Sequence, residues 1–314
     1  NRAISGVYAP GSTFKMITAI AGLETGVITP TEKINDIGVY KKAHEPACWI
    51  WNSYGMSHGW LSVTEAITHS CNYFFYEVGY RATIDNIAKY AKYYGLGEKT
   101  NVELPMEEKG IVATRDKAKE RGDEWQIGET LSAAIGQSYN SYTPIQMAKY
   151  ISMLANGGEP IDVTIVKSIN DVNGNQVSKE DITKFVNAKL GLTKEKKENL
   201  NIKKENIDAI LKGMKGVTSE EGGTAYSTFA NFNIELGGKT GSAQTDVQGK
   251  INGWFVGFAP YEEPEIAVVV LVENAGSGSY TAEVARDILQ EYFGMNMEKV
   301  EEDLTAMPST EIQN

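Results

Sequence analysis

Ser12 and Lys15 stand three residues apart at the mouth of the apolar stretch Phe14 to Leu23, just past Pro10-Gly11, which ends the strand-like segment Ala3 to Tyr8. The spacing of apolar side chains predicts a buried helix with Ser12 in its first turn. Residues three apart share a helix face, so the hydroxyl and the amine point the same way. A serine attacks poorly unless a base takes its proton, and a lysine inside an apolar helix loses charge because desolvation lowers its pKa. The pair has the makings of a nucleophile and its base. The same spacing arises by chance in ordinary helix starts, so it needs partners elsewhere in the chain.

Two short elements supply them. Ser70-Cys71-Asn72 falls in a predicted helix from Val63 to Gly79 and offers a second hydroxyl and an amide two residues apart. Lys239-Thr240-Gly241 falls on a predicted strand, where a cation can hold a carboxylate and Gly241 lets another backbone approach. The three motifs, in this order and on a helix start, a helix and a strand, form the combination used by serine acyl-transferring enzymes that bind penicillins.

The elements that must position them follow from pattern. Gly26 to Pro30 stops the first helix, and residues 31 to 60 read as an irregular excursion rich in Gly, Trp and Tyr. A helix is predicted over Ile84 to Tyr94, then loop over 98–130, then a helix opened by Thr143 and Pro144. Asn173-Gly174 predicts a hairpin within 160–181. The lysine-rich piece Leu192 to Glu205 reads as an exposed loop before a helix over Ile207 to Val217. Strands follow at Ile234 to Gly241, Gly253 to Phe258 and Ile266 to Val272, and a helix at Ala282 to Tyr292. Helices ahead of consecutive strands predict an α+β domain, an antiparallel sheet flanked by a helical region.

Composition narrows the class. The 314 residues carry a net charge of -11, which argues against a nucleic-acid surface. The longest apolar run, Ile266 to Val272, is of strand length and far short of a membrane span. Asn1-Arg2-Ala3 opens the chain without a methionine or a signal peptide, so the expectation is a fragment whose targeting segment lies upstream.

Gly6 to Lys15 resembles the active-serine region of class B penicillin-binding proteins. Ala134-Ile135-Gly136-Gln137 with Thr143 to Ala148, and Gly237 to Gln244 with the following Trp254-Phe255, are similar to further signatures of that family. The tract Trp49 to Gly59 most resembles its elongation-type members, the penicillin-binding protein 2 group. The resemblance implies a penicillin-binding transpeptidase or serine β-lactamase-like fold with an all-helical subdomain, and peptidoglycan D,D-transpeptidation. Ser12 would attack the D-Ala-D-Ala carbonyl of a donor stem peptide and Lys15 would accept its proton. Ser70 would relay a proton to the departing D-alanine, Asn72 would bond Lys15 and the substrate amide, and Lys239 and Thr240 would hold the terminal carboxylate beside Gly241. The oxyanion would sit between the N–H groups of Ser12 and Ser242. An acceptor amine from a second stem peptide would resolve the acyl-enzyme, and β-lactam antibiotics would trap it. Strand alternation alone sends Lys239 and Thr240 to opposite faces, so their shared cleft rests on the resemblance.

The resemblance further implies no cofactor for catalysis, a membrane glycosyltransferase partner, and a place on the outer face of the cytoplasmic membrane. In the family a helix and strands precede the active serine, where eleven residues stand here. The expected division is a transpeptidase domain over 1–295, lacking its N-terminal part and the anchoring helix, and a polar tail over 296–314. A serine β-lactamase, a D,D-carboxypeptidase or a non-catalytic β-lactam sensor would carry the same motifs; the lactamase lacks support from an acidic Glu-x-x-Leu-Asn context.

Both cysteines, Cys48 and Cys71, and all three histidines, His44, His58 and His69, fall within one short stretch. Two free thiols, a disulfide, and a zinc site are the three readings. The family resemblance matches the zinc ligands to Asp36, Cys48, His58 and Cys71, with His44 as substitute and His69 on a helix surface. Trp49, Trp51 and Trp60 are expected to pack beneath the excursion, and Glu77 to pair with Arg81 at helical spacing.

Overall fold

The computed structural model describes residues 1–191, 199–245, 247 and 249–295. Asn1 caps a short helix, α1 (Arg2–Ser5), by accepting from the Ala3 N–H, so the segment expected to be a strand opens helical and pairs only through an isolated Tyr8 to Tyr142 bridge. A 3-10 turn, Gly11–Phe14, then runs into α2 (Lys15–Glu24), which is buried on nearly every side. At about 2 kcal/mol for each fully buried large apolar side chain, Met16, Ile17, Ile20 and Leu23 stabilise α2 enough to offset the burial of a lysine in its first turn.

The excursion over 31–60 is more regular than its composition suggests. β1 (Ile34–Asp36) pairs antiparallel with β2 (Gly59–Leu61), and α3 (Trp49–Tyr54) lies between them. The helix predicted from Val63 to Gly79 is two helices, α4 (Val63–Thr68) and α5 (Asn72–Tyr93). They part at Ser70, which takes the left-handed φ of 55°. The predicted helix at Ile84 is instead the second half of α5, joined across a kink at Thr83.

The stretch expected to be loop over 98–130 contains α6 (Arg115–Glu120) and the start of α7 (Ile127–Ala134). In α6 only Ala118 is buried, so it shows no apolar period to read. Thr143 and Gln146 cap each other at the start of α8 (Pro144–Ala155) as their spacing promised. Residues 160–181 form no hairpin strands, only an Asn170 to Gln176 bridge, because the Val163 to Val166 stretch lies against solvent with no core to face. α9 (Lys179–Leu190) follows; residues 192–198 of the expected lysine-rich loop, and the expected tail from 296, lie outside the described residues.

α10 (Lys204–Ser219) packs across α4 and the sheet, and α11 (Tyr226–Phe229) leads into three antiparallel strands. These are β3 (Gly237–Gln244), β4 (Ile251–Ala259) and β5 (Ile266–Val272), in that spatial order, with α12 (Ser279–Tyr292) laid over them. β4 is the central strand and nearly all buried, so it reads as a continuous apolar run. β3 is an edge strand of this sheet, and it meets the 3-10 turn that holds Ser12.

Candidate active site and adjoining donor cluster

The Ser12 turn is clamped by backbone. Gly11 sits at φ 55°, and a Cβ there would lie 2.7 Å from the Ser242 carbonyl oxygen of β3. From the other side the Gly11 N–H donates to the Gly136 carbonyl at 3.0 Å, and a Cβ on Gly136 would come within 2.1 Å of the Gly11 oxygen. Only glycine tolerates either approach. The Trp254 indole N–H donates to the Ala9 carbonyl at 2.9 Å and ties the same segment to β4. Within the turn the Lys15 backbone N–H donates to the Ser12 carbonyl, the i to i+3 bond of a 3-10 helix, and Ser12 itself is half-buried.

Lys15 is 0% exposed. Its Nζ donates to the Ser70 carbonyl at 2.7 Å, to Ser70 Oγ at 3.1 Å and to Asn72 Oδ1 at 2.6 Å. Lys239, also 0% exposed, donates to the same Ser70 Oγ at 2.8 Å and to the Thr240 carbonyl at 3.0 Å. Ser70 thus stands between two buried amines, and its left-handed backbone aims the hydroxyl there. No carboxylate bonds either amine among the described residues. Burial therefore pushes Lys15 down to about 8, against the pull of the Cys48 and Cys71 sulfurs, which raise it. Burial, with the Lys15 charge beside it, pushes Lys239 well below the usual lysine range. An arriving carboxylate would restore charge to such a site.

The rest of β3 completes the cleft. Thr240 Oγ1 lies 2.6 Å from Thr224 Oγ1, on the loop between α10 and α11. Ser242 pairs with Gly253 on β4, and its Oγ accepts from the Gly278 N–H at the start of α12 at 3.0 Å.

Behind Ser70, Asp36, Cys48, His58 and Cys71 converge so that one ligand atom from each lies within 4.8 Å of the others. Cys48 Sγ is 3.6 Å from His58 Nδ1 and 3.9 Å from Cys71 Sγ. Asp36 Oδ2 is 2.7 Å from His58 Nδ1 and 3.3 Å from Cys71 Sγ. Both cysteines are free thiols here, with their sulfurs 3.9 Å apart and unbonded. The contacts bias the protons. Although burial opposes each charge, mutual bonding holds Asp36 down to about 2 and His58 up to about 9. The bond from Cys71 lowers Cys48, while burial raises Cys71. Two sulfurs, one imidazole nitrogen and one carboxylate oxygen are donor types that zinc takes, and they sit close enough together to converge on one ion. Asp36 Oδ1 accepts from the Gly38 N–H and Cys71 Sγ from the Phe74 N–H, so outer bonds orient two of the donors. His44 lies elsewhere, against Gly128, and His69 bonds the Gly222 carbonyl at 3.1 Å.

Residues 1–290 match the family described as the penicillin binding protein transpeptidase domain. The chain belongs to that family. Among curated proteins it is similar to the peptidoglycan D,D-transpeptidase MrdA of Haemophilus influenzae, at 30% identity over 96% of this chain and 46% of that protein. It is 31% identical to MrdA of Escherichia coli over 92% of this chain and 46% of the relative. The chain therefore spans about half the length of these relatives. Among solved structures, PBP2 of Pseudomonas aeruginosa in complex with WCK 5153 superposes with a TM-score of 0.79 at 33% identity, over 93% of this chain and 62% of that one. PBP2 of Helicobacter pylori in complex with MreC gives 0.77 at 28%, over 95% and 51%. A chain of a peptidoglycan synthase complex gives 0.75 at 30%, over 99% and 48%.

This penicillin-binding domain brings Lys15, Ser70, Asn72 and Lys239 of its expected residues into direct contact, and adds others. Thr224 carries no periodic or motif signal of its own, and only the β3 contact singles it out. Gly278 is likewise visible only once α12 meets β3; a Cβ there would lie 2.3 Å from the Gly241 oxygen. Of the tryptophans, Trp49 packs on the core and donates to the His69 carbonyl, but Trp51 and Trp60 are 42% and 64% exposed. Trp60 alternates with buried Leu61 on β2 and points to solvent.

Proposed function

We propose that this domain is a peptidoglycan D,D-transpeptidase. The observation that carries the reading is Ser70 Oγ held between the two buried amines, 3.1 Å from Lys15 and 2.8 Å from Lys239, beside the clamped Ser12 turn. Ser12 Oγ attacks the carbonyl of the penultimate D-alanine of a stem peptide, and neutral Lys15 takes its proton. The new oxyanion lies against the Ser12 and Ser242 N–H groups, preorganised donors worth about 10² to 10³ in rate each. As the C–N bond breaks, the proton returns through Ser70 to the departing D-alanine amine. Lys239 and Thr240, with Gly241 and Ser242 completing the strand, hold the terminal carboxylate, and Asn72 holds Lys15 and the donor amide. A second stem peptide's amine then attacks the ester and gives its proton to Lys15, which passes it to Ser12 Oγ as the ester C–O bond breaks. A β-lactam takes the donor's place and acylates Ser12.

Asp36, Cys48, His58 and Cys71 hold a structural zinc in this reading, and the metal's chemistry is to crosslink the four side chains. The excursion is thereby tied to the N-terminus of α5, the helix that presents Asn72 directly after Ser70. The transpeptidase domain runs over 1–295 in this reading, and the sequence from 296 to 314 is polar. The domain works on the outer face of the cytoplasmic membrane beside a glycosyltransferase, in keeping with the synthase complex and MreC complex among its structural relatives. Among the described residues no helix is long and apolar enough to cross a membrane.

The test is turnover of a synthetic donor ending in D-Ala-D-Ala with an acceptor amine. One new amide per D-alanine released is expected. Hydrolysis of the donor alone would make the domain a carboxypeptidase, and a donor left untouched by a β-lactam-reactive domain would make it a sensor.

A further inference from the structure

Thr240 is 8% exposed, and its hydroxyl has a partner that the reaction as described does not use. Thr224 Oγ1 lies 2.6 Å away, and either oxygen can be the donor. A carboxylate only accepts hydrogen bonds. For Thr240 to donate to one, its own lone pair must take the proton that Thr224 offers. We propose that Thr224 is a positioning residue for substrate-carboxylate recognition: it donates to Thr240 Oγ1 and so turns the Thr240 proton into the cleft. The inference rests on the transpeptidase reading of the cleft.

The loop is built to hold that hydroxyl still. The Gly223 N–H donates to the Glu220 carbonyl at 2.9 Å, and the Ala225 N–H to the Val217 carbonyl at 3.0 Å. A Cβ on Gly223 would lie 2.3 Å from the Gly216 oxygen, so the turn is pressed against the end of α10. Ala225 is buried on the far side. His69 bonds the Gly222 carbonyl, which fixes the turn to the residue before Ser70. Thr224 is therefore held from both flanks, and a hydroxyl chain oriented this way strengthens the last bond in line.

The test compares penicillin G with its methyl ester, which lacks the carboxylate, on wild type, Thr224→Val and Thr224→Ser, following the Ser12 adduct by intact mass. Thr224→Val is expected to slow acylation by the free acid about tenfold, the size of effect that a hydrogen bond to a charged group carries. Acylation by the ester should not change, and Thr224→Ser should restore the free acid. Equal losses for acid and ester would make Thr224 merely structural and overturn the proposal, as would no loss at all. A wild type that forms no adduct with the free acid would overturn the reading of the cleft itself. The ester arm also reports whether Thr224→Val is folded, because acylation of that variant by the ester requires an intact Ser12 turn.

Discussion

Lys15 sets the pH behaviour of the site. In the proposed mechanism its amine must be neutral to take the Ser12 proton, and complete burial brings it down to about 8. The neutral fraction rises about tenfold per pH unit below that value and levels above it. Acylation of Ser12 by a β-lactam is accordingly predicted to climb with slope near one from pH 6 to about 8 and then flatten, measured as the second-order rate under constant ionic strength. A rate that is flat from pH 6 to 8 would contradict a lysine base with this pKa. The stability effect has the same sign: folded Lys15 gives up its proton more readily than the unfolded side chain, so the cost of its burial is relieved as pH rises from about 8 toward the ordinary lysine value. The Ser12 and Lys15 pair was legible because helical spacing is local. Thr224 was not, because 16 residues separate it from the hydroxyl it bonds.

At the scale of elements, the break at Ser70 matters more than the helices on either side. A continuous helix would turn Ser70 with its neighbours, whereas the left-handed residue between α4 and α5 lets its hydroxyl enter the cleft. The apolar period runs through this break without a glycine or proline to mark it, so sequence pattern predicted one helix. Cys71 caps α5 by accepting from the Phe74 N–H, and it belongs to the donor cluster. Chelating the proposed zinc, or Cys71→Ser, is predicted to lower the melting temperature by roughly 5 °C or more and to slow acylation severalfold. Metal content by elemental analysis, a melting curve and β-lactam acylation check this on one sample. Acylation rates equal with and without chelator would break the link between the cluster and Ser70, and a metal-replete preparation without zinc would break the ligand assignment.

Across the whole molecule, the cleft depends on three regions far apart in the chain: the Ser12 turn, the Ser70 break and the β3 edge. Gly11 lets the first meet the third, Gly136 seats the Ser12 turn from its other side, and buried α2 packs against α5 and α4, which flank the Ser70 break. The excursion is fastened to α5 a second way. Arg81 donates to Glu77 at 2.7 Å and to Glu32 at 2.6 Å, while Lys42 reaches Glu77 at 3.3 Å. The expected Glu77 to Arg81 pair is thus one part of a partly buried network joining 31–60 to the helical layer, rather than a lone surface pair. The sheet and α8 were legible because their apolar periods and caps are local; the hairpin at 160–181 failed because a turn signal without a core to face does not make strands.

Every step of the proposed reaction passes through Ser12 as the nucleophile. Intact-protein mass spectrometry of the chain with and without a penicillin tests it most directly, alongside Ser12→Ala. A lasting mass increase of one penicillin, mapped by digestion to Ser12, is expected in the wild type, and none in the variant. An adduct that persists in Ser12→Ala, or a folded wild type that gains no mass, would contradict it.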